Sequence, residues 1–462
     1  MLIRDADMNG QRCDVRLTDG VIAAIAPALP QLPDEPTLNA RGGALLPGLH
    51  DHHIHLNATA ASLMSVRCGP PDVRDAAGLI AALHHAPGDD WLRGVGYHAS
   101  VAGEIDRQWL DRNGPARPVR IQHRSGRMWI FNSLALRELG DGAPADGRLI
   151  DGDTWLRGRL PVTPLDLRPV GDRLAALGVT GLTEVTPRND RADYLRYAQA
   201  GLPQHLLVMG GPTLDDAPPV GLASRGAVKL HYHDHDLPPL DHLVAEVARA
   251  HAANRPVASH CVTQAELVVT LAAIKEAGAM VGDRIEHAAI VTPDNADWMA
   301  RLGLVAVSQP HFIAERGDAY RRDVAAEDRR WLYRLRGLRA AGVGLAAGSD
   351  APFGGLNPWK SMAAAVQRPD DLGGNEVLTP EEALALYTGH PHAPAVPRTI
   401  AVGQRADLCL IDRHWAAARA DLAAVTVRAT WVAGRLVYGT IASTNPHLSA
   451  SDAGMRRIDS AI

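Results

Sequence analysis

The chain has 462 residues, with 47 Lys and Arg against 52 Asp and Glu, and a formal net charge of −5. At 46% hydrophobic and 21% charged residues it has the composition of an ordinary globular protein. The near-neutral balance gives no basic stripe for nucleic acid. Only three of the cations are lysines, Lys229, Lys275 and Lys360. A lysine in an important position of this chain therefore needs a chemical reason not to be arginine.

The four cysteines, Cys13, Cys68, Cys261 and Cys409, are scattered and form no C-x-x-C pair. This spacing argues against a disulfide framework and against a structural zinc knuckle. The first residues show no signal-peptide pattern, and no apolar run approaches the roughly 18 residues that a membrane span needs. We therefore expect a cytoplasmic protein without a membrane partner.

Both ends of the chain are rich in short β-strand patterns, and neither end is long enough to bury a core alone. We expect residues 1–46 and 394–442 to pair into one small β-sandwich domain. The polar residues 443–462 are expected to form a loosely held C-terminal tail.

Between these ends, short apolar strands alternate with helical segments, a pattern typical of βα units around a parallel sheet. Capping boxes predict helix starts at Thr263 and Thr379, with Glu266 and Glu382 three residues further on. The predicted fold class is α/β, a (β/α)8 TIM barrel over 47–393, because eight strands can be counted. They are 44–47, 178–185, 205–209, 227–230, 256–259, 284–287, 304–308 and 343–347.

The interval between the first two predicted strands is far longer than one βα unit requires. It predicts a long insertion after barrel strand 1, at about 62–170. An insertion on the C-terminal side of a barrel strand is expected to lie over the mouth of the barrel.

The strongest local signal is the segment Pro47-Gly-Leu-His-Asp-His-His-Ile-His55. In an extended strand His53 and His55 project from the same face, so together they could bind one metal ion. Asp51 shares that face and could orient an imidazole. An H-x-H segment alone is weak evidence for a metal site, since a His-rich loop that binds no metal can have the same sequence pattern.

Four further residues of metal-ligand type lie at the C-terminal ends of separate predicted strands: Lys229, His260, His287 and Asp350. The strand ends of a barrel converge on one mouth, where active sites are built. A single histidine in such a position would be ordinary core, but five strand ends carrying this set predict a metal site.

The order H-x-H, Lys, His, His, Asp resembles the amidohydrolase superfamily of metal-dependent barrel hydrolases. Arg284-Ile-Glu-His, Ala347-Gly-Ser-Asp and Leu378-Thr-Pro-Glu-Glu-Ala-Leu are further matching segments. The segment Gly126-Arg-Met-Trp-Ile-Phe-Asn-Ser-Leu-Ala-Leu is similar to the Gly-His-x-x-x-x-Asn-Ser-x-Ala-Leu segment of amidohydrolase family 3, the YtcJ-like group. Here Arg127 replaces the family's histidine, which puts the transfer of any substrate assignment in doubt.

The resemblance implies two divalent metal ions, Zn first and Mn or Fe as alternatives. It implies that His53, His55 and Asp350 bind the more buried ion and that His260 and His287 bind the second. Lys229 would be carboxylated by CO2 to a carbamate that bridges both. An amine can add to CO2 when neutral, whereas a guanidinium essentially never deprotonates.

Several other residues receive weaker interpretations. His231 and His233 share the face of Lys229 and are expected to be pocket-wall or loop residues, with an auxiliary ligand role as the alternative. Cys261 is expected to be a buried structural residue rather than a nucleophile. Candidate substrate contacts are Arg127, Trp129, Asn132 and His311.

The resemblance implies hydrolysis of a C–N bond in an amide, carbamate, urea or N-acyl small molecule by a metal-activated hydroxide, with Asp350 as general base and then acid. One alternative is cyclic amide, lactone or ester hydrolysis, or deamination, at the same site. A second is an inactive barrel that serves as an assembly module. A homodimer is an expectation from the frequency of two-fold dimers only.

Overall fold

The computed structural model of the protein describes residues 1–70, 72–156, 158–160 and 165–440. The predicted tail at 443–462 lies outside these residues. The chain divides into two compact units. The first consists of residues 1–54 and the described residues from 171 onward, and the second consists of residues 55–170.

The first unit contains an eight-stranded parallel sheet in which each strand pairs with the next along the chain. We number its strands β1 (Leu49–Ile54), β2 (Val179–Glu184), β3 (His205–Gly210), β4 (Ala223–Leu230), β5 (Val257–Cys261), β6 (Arg284–His287), β7 (Val305–Ser308) and β8 (Gly344–Ala347). Such a run of parallel strands, each followed by a connection over the outside, is the barrel that the sequence predicts.

The first and last strands meet at a seam just beyond β8. The backbone N–H of Asp350 donates to the carbonyl of His53 over 2.7 Å. The carboxylate of Asp51 accepts the backbone N–H of Ser349 at 2.9 Å and that of His53 at 3.1 Å. The side chain of Asp51 therefore holds both edges of the seam together, and does not orient an imidazole as the sequence suggested.

Seven of the eight predicted barrel strands are confirmed, and the prediction for 44–47 is wrong. Leu45–Pro47 pairs antiparallel with Leu408–Ile411, in a sheet of the β-sandwich. The true first strand, β1, has the sequence Leu-His-Asp-His-His-Ile and is buried along its whole length. Its four polar side chains hid it from a search for apolar runs, because a fully buried strand normally reads as a run of apolar residues.

Helices cover the connections of the first unit. The predicted capping boxes at Thr263 and Thr379 are both present, and Gly278 ends the first of these helices with a φ of 85°. The α-helices are Arg191–Ala198, Leu240–Ala252, Gln264–Ala277, Pro293–Arg301, His311–Asp323, Ala326–Arg329, Leu335–Ala340, Pro358–Val366, Pro380–Ala385 and Trp415–Ala418. Short 3-10 helices span Pro212–Leu214, Asp234–Asp236, Asp370–Leu372 and Leu422–Ala424.

Two four-stranded sheets from the chain ends share one apolar core that includes Ile3, Val15, Leu408 and Trp431. One sheet has the order Val21–Ala26, Gln11–Thr18, Leu2–Met8, Thr37–Asn39, and the other Arg435–Tyr438, Val427–Val432, Leu408–Ile411, Leu45–Pro47. The alternating inward side chains of two sheets fill such a sandwich. A two-stranded sheet, Gly389–His390 with Ala393–Pro397, completes the strands of this unit.

The second unit contains a five-stranded sheet in the order Arg148–Ile150, Met128–Phe131, Val119–His123, Leu92–Tyr97, Val66–Arg67. Its helices are Leu56–Leu63, Ala76–His85, Ala99–Ala102, Arg107–Asn113, Ser133–Leu139 and Asp153–Leu156. Helix Arg168–Ala175 carries the chain back into the first unit. This unit holds the insertion predicted at about 62–170, and it begins earlier, at His55.

The predicted fold class is confirmed: an α/β barrel with a β-sandwich built from both chain ends and a long insertion after β1. Among the described residues, no helix is both long enough and apolar enough to cross a membrane. All four cysteines are free and buried.

Replacing Gly348 by alanine should destabilise the barrel at its seam. A Cβ atom there would lie 2.3 Å from the backbone nitrogen of His53, so the seam would have to open. We expect a loss of about 1–3 kcal/mol in the free energy of unfolding, measured by denaturant titration. The matched control is Gly211→Ala, where a Cβ meets nothing within 4 Å and φ is already −75°. Equal stability of the two variants would contradict this account of the seam.

Candidate metal centre

Five of the six predicted ligands belong to the first unit and lie at or just beyond the C-terminal ends of its barrel strands. They are His53 on β1, Lys229 on β4, His260 on β5, His287 on β6 and Asp350 after β8. The strands are parallel, so these ends open on the same face of the barrel.

Three of these residues form a buried group that could hold a metal ion: His53, His287 and Asp350. One ligand atom from each lies within 4.8 Å of the others. The Nε2 atom of His53 is 3.3 Å from Oδ1 of Asp350. Two imidazole nitrogens and a carboxylate oxygen are ligands that Zn²⁺ accepts. We call these three residues the inner group.

Each imidazole of the inner group is held through its Nδ1 atom. The Nδ1 atom of His53 hydrogen-bonds to the carboxylate of Glu286, and Nδ1 of His287 lies 2.9 Å from the side-chain oxygen of Gln309. These contacts fix the ring orientations and direct Nε2 of His53 toward Asp350. The sequence reading assigned no role to Glu286 or Gln309.

Two residues of the inner group have backbone conformations that L-residues rarely adopt. The φ angle is 66° at His287 and 51° at Asp350. Non-glycine residues in the left-handed region cost energy and are found where the surroundings impose them, often at functional sites. Here the seam imposes it on Asp350, whose N–H is bound to the carbonyl of His53.

Burial and the neighbouring carboxylates dominate the electrostatics of the inner group. Burial lowers the pKa of His287 to about 3, which keeps this imidazole neutral and able to bind a metal. Burial is the largest influence on the pKa of His53 and acts to lower it, but the carboxylates of Glu286 and Asp350 together raise that pKa above its usual value. Arg284 shares the carboxylate of Glu286 and donates from its other branch to the carbonyl of His52 at 2.7 Å.

Lys229 is buried beside this group, with 3% of its side chain exposed. Its Nζ atom has no hydrogen-bond partner among the described residues, and Oε2 of Glu286 is 3.9 Å away. Burial lowers the pKa of Lys229 to about 8. A buried amine without a partner is costly, and it is rarely retained without a chemical role.

His260 belongs to a second group, with His231 and His233. One nitrogen from each lies within 4.8 Å of the others; His231 and His233 are exposed and His260 is half-buried. We call these three residues the outer group. His260 also borders the inner group, because its ring centroid is 4.6 Å from that of His287. Burial, followed by the neighbouring imidazoles, keeps the pKa of His260 well below its usual range.

His55 is the first residue of the second unit and the N-cap of helix Leu56–Leu63, where its carbonyl accepts the N–H of Thr59 at 2.8 Å. Its role as a metal ligand stays a prediction.

Cys261 is buried in the apolar core of the first unit, and burial raises the pKa of its thiol to about 12, as expected of a structural cysteine.

Three of the four candidate substrate contacts belong to the second unit. Arg127 is exposed and forms an ion pair with Asp151. Trp129 is buried in an apolar cluster with Phe131. Asn132 caps helix Ser133–Leu139, and its amide also binds backbone atoms of two other residues. The structure thus gives Asn132 a structural role, because both ends of its amide are already engaged.

The fourth candidate, His311, lies in the first unit and contacts the backbone next to Asp350. Its Nδ1 is 2.9 Å from the hydroxyl of Ser361, and its Nε2 donates to the carbonyl of Ser349 at 3.1 Å. Burial lowers the pKa of His311 to about 4, so the ring is neutral. His311 therefore links the Ser349 backbone, next to Asp350, to Ser361 of helix Pro358–Val366.

With this geometry established, comparison with known proteins identifies the family. A model of the amidohydrolase family matches residues 37–438. The chain belongs to the amidohydrolase family. It is an amidohydrolase, a hydrolase of carbon–nitrogen bonds other than peptide bonds, as the sequence predicts.

Two sequence relatives of this amidohydrolase cover most of its length. It is 26% identical to the N-substituted formamide deformylase of Arthrobacter pascens, over 88% of this chain and 90% of the relative. It is 24% identical to the putative amidohydrolase YtcJ of Bacillus subtilis, over 88% of this chain and 91% of the relative.

Solved structures show the same fold. An uncharacterized metal-dependent hydrolase from Pyrococcus horikoshii has a TM-score of 0.73 at 18% identity, covering 89% of this chain and 96% of that one. The atrazine chlorohydrolase TrzN of Arthrobacter aurescens, solved with zinc, has a TM-score of 0.59 at 13% identity, covering 95% of each chain.

Replacing Glu286 by glutamine should weaken metal binding. The change removes the charge that Arg284, His53 and Lys229 share, and it weakens the bond that orients His53. We expect a metal affinity about 10–100-fold lower, measured by competition with a metal indicator. We also expect about 3 kcal/mol less stability.

The matched control for this variant is Glu376→Gln. Glu376 is another buried carboxylate, and it pairs with Arg334 at 3.0 Å outside the metal-binding groups. It should cost stability without changing metal affinity. If Glu286→Gln binds metal as tightly as Glu376→Gln does, Glu286 does not support the centre.

Proposed function

We propose that this amidohydrolase cleaves a C–N bond of an amide, carbamate, urea or N-acyl compound with the help of divalent metal ions at the C-terminal end of its barrel. The observation that carries the proposal is the inner group, a buried set of two imidazoles and a carboxylate whose ligand atoms lie within 4.8 Å of one another. Buried groups of this kind are characteristic of metal and catalytic sites rather than of packing.

The residues present fit two divalent ions, with Zn first and Mn or Fe as alternatives. His53, His55 and Asp350 would hold one ion, and His260 and His287 the second. The 4.6 Å separation of the last two rings supports this second pair. Bound there, the ions would polarise the substrate carbonyl and bring the pKa of a water molecule toward neutrality.

Lys229 would join the two ions as a carbamate. Its Nζ atom lies buried beside the inner group without a hydrogen-bond partner among the described residues. In its neutral form this nitrogen can attack the carbon of CO2, forming an N–C bond and releasing one proton to solvent. The product is a carboxylate, which is the ligand type that two divalent ions can share.

Asp350 would transfer the proton. Its carboxylate is 3.3 Å from Nε2 of His53, and its backbone is fixed by the seam and by the Ser349 carbonyl that His311 binds. It would take a proton from the attacking water and deliver it to the leaving nitrogen, which must be protonated before the C–N bond breaks.

The sequence relative whose name specifies a substrate acts on N-substituted formamides. We propose this class of small molecule as the first to be tested. N-acyl amino acids, carbamates, phenylureas and cyclic imides are further members of the panel, because the same chemistry would cleave each of them.

Removing metal should abolish activity. Protein treated with a chelator is expected to cleave no member of the panel, and added Zn²⁺ or Mn²⁺ should restore turnover. Asp350→Asn should lower kcat by about 10²–10⁴-fold in the metal-loaded protein, because the proton acceptor is lost.

Asp318→Asn is the matched control, since Asp318 is 99% exposed and forms an ion pair with Arg321 of its own helix. Its activity should equal that of the wild type. Metal-loaded wild type that cleaves no member of the panel, or an Asp350→Asn variant with full activity, would contradict the proposed function.

Lys229→Arg tests whether the carbamate bridge, and not merely a positive charge at this position, supports metal binding. Arginine keeps a cation but cannot be carboxylated, so we expect metal affinity to fall about 10–100-fold. Lys275→Arg is the control, because Lys275 is exposed in the last turn of helix Gln264–Ala277. A crystal of metal-loaded wild type should show density for the carboxylate on Lys229. Unmodified lysine in that crystal would rule out the bridge.

A further inference from the structure

Two members of the outer group, His231 and His233, have no role in the proposed centre, whereas the third, His260, is also a proposed ligand of its second ion. His231 follows the end of β4, and the parallel register pairs Leu230 with Ser259, which places His231 opposite His260 of β5. Two residues on, His233 is again extended, with φ −120° and ψ 158°. Three imidazoles therefore converge because of strand register and not by chance contact of mobile side chains.

The loop that carries the two exposed histidines is anchored on both sides. Tyr232 lies between them and points the other way, packing against the core and donating its hydroxyl to Glu246 of helix Leu240–Ala252. Asp234 accepts the hydroxyl of Thr263, the N-cap residue that follows β5. The segment holding His231 and His233 is thus tied to the segment that follows His260.

Ring contacts confirm how closely the imidazoles approach. The centroid of His231 is 4.4 Å from that of His260 and 4.8 Å from that of His233. Tetrahedral zinc with Zn–N bonds of about 2.0–2.1 Å needs ligand nitrogens about 3.4 Å apart. Side-chain rotations that move these nitrogens by about 1 Å would provide that spacing. The exposed side remains open for water as a further ligand.

We propose that His231, His233 and His260 form an additional metal-binding position on the solvent side of the inner group. The ligands are nitrogen only, which suits Zn²⁺, Co²⁺ or Ni²⁺ better than Mg²⁺ or Ca²⁺, because the latter two require oxygen. His260 borders the inner group and is also a proposed ligand of the second ion, so it would serve both ions at once only by binding each through a different ring nitrogen, as an imidazolate. This position goes beyond the proposed function and does not require the inner group to be catalytic.

The experiment counts metal in the full chain. Metal-free wild type, the double variant H231A/H233A, and the control H235A are titrated with Co²⁺, with binding followed by visible absorption and by equilibrium dialysis. The control is matched, because His235 stacks on His233 at 5.7 Å on the same loop but is outside the outer group. We expect H231A/H233A to bind about one equivalent fewer than wild type and H235A.

Each result separates this position from the inner centre. If H231A/H233A binds as many equivalents as H235A with equal affinity, the additional position does not exist. The proposal for the inner group is unaffected by that result. If D350N loses an equivalent of Co²⁺ that H231A/H233A keeps, the two sites are independent. The additional position still requires that H231A/H233A binds about one equivalent fewer than H235A. A metal-free wild type that binds no Co²⁺ overturns both proposals.

Thermal unfolding shows whether the loss of metal binding in H231A/H233A comes from a folding defect. Both replaced histidines are exposed, so the metal-free double variant should unfold at the temperature of metal-free wild type. The single variant H233A provides a second measurement, in which affinity for the last equivalent should fall at least about tenfold because one of three ligands is lost. Unchanged affinity in H233A would also overturn the additional position.

Discussion

The seam between β1 and β8 is the constraint on which the site depends. The hydrogen bond from the N–H of Asp350 to the carbonyl of His53 joins the two edges of the barrel and sets two members of the inner group side by side. Gly348 allows this approach, because a Cβ atom there would collide with the backbone of His53. Closing the barrel therefore also places His53 and Asp350 side by side.

A second constraint is the negative charge of Glu286 inside the barrel. Its carboxylate is fully buried and serves Arg284, His53 and Lys229 together. Buried charges are stable only when paired, so these residues depend on one another. The arrangement also explains why burial alone does not set the titration of His53, whose pKa is raised by this carboxylate, while that of His287 is lowered by burial.

The sequence predicted that His53, Lys229, His260, His287 and Asp350 lie at strand ends on one face, because strand ends converge in any parallel barrel. It grouped His53 with His55 and Asp350, whereas the structure brings His53 and Asp350 together with His287. The strand that carries His53 was misplaced at 44–47, because a buried strand made of polar residues has no apolar signature. Glu286 and Gln309 were overlooked since their contacts join strands through register and side-chain direction, which one sequence does not reveal.

The scarcity of lysine gains its meaning from the environment of Lys229. An arginine at this point would bring a guanidinium that stays charged, with five donors to satisfy inside the barrel. The carboxylate that pairs with Lys229 is that of Glu286, and Arg284 already binds it. A lysine can instead lose its proton, and burial moves its pKa to about 8, toward that outcome. The physical demand of the site, for a nitrogen that can be neutral, thus accounts for a lysine in a chain that otherwise prefers arginine.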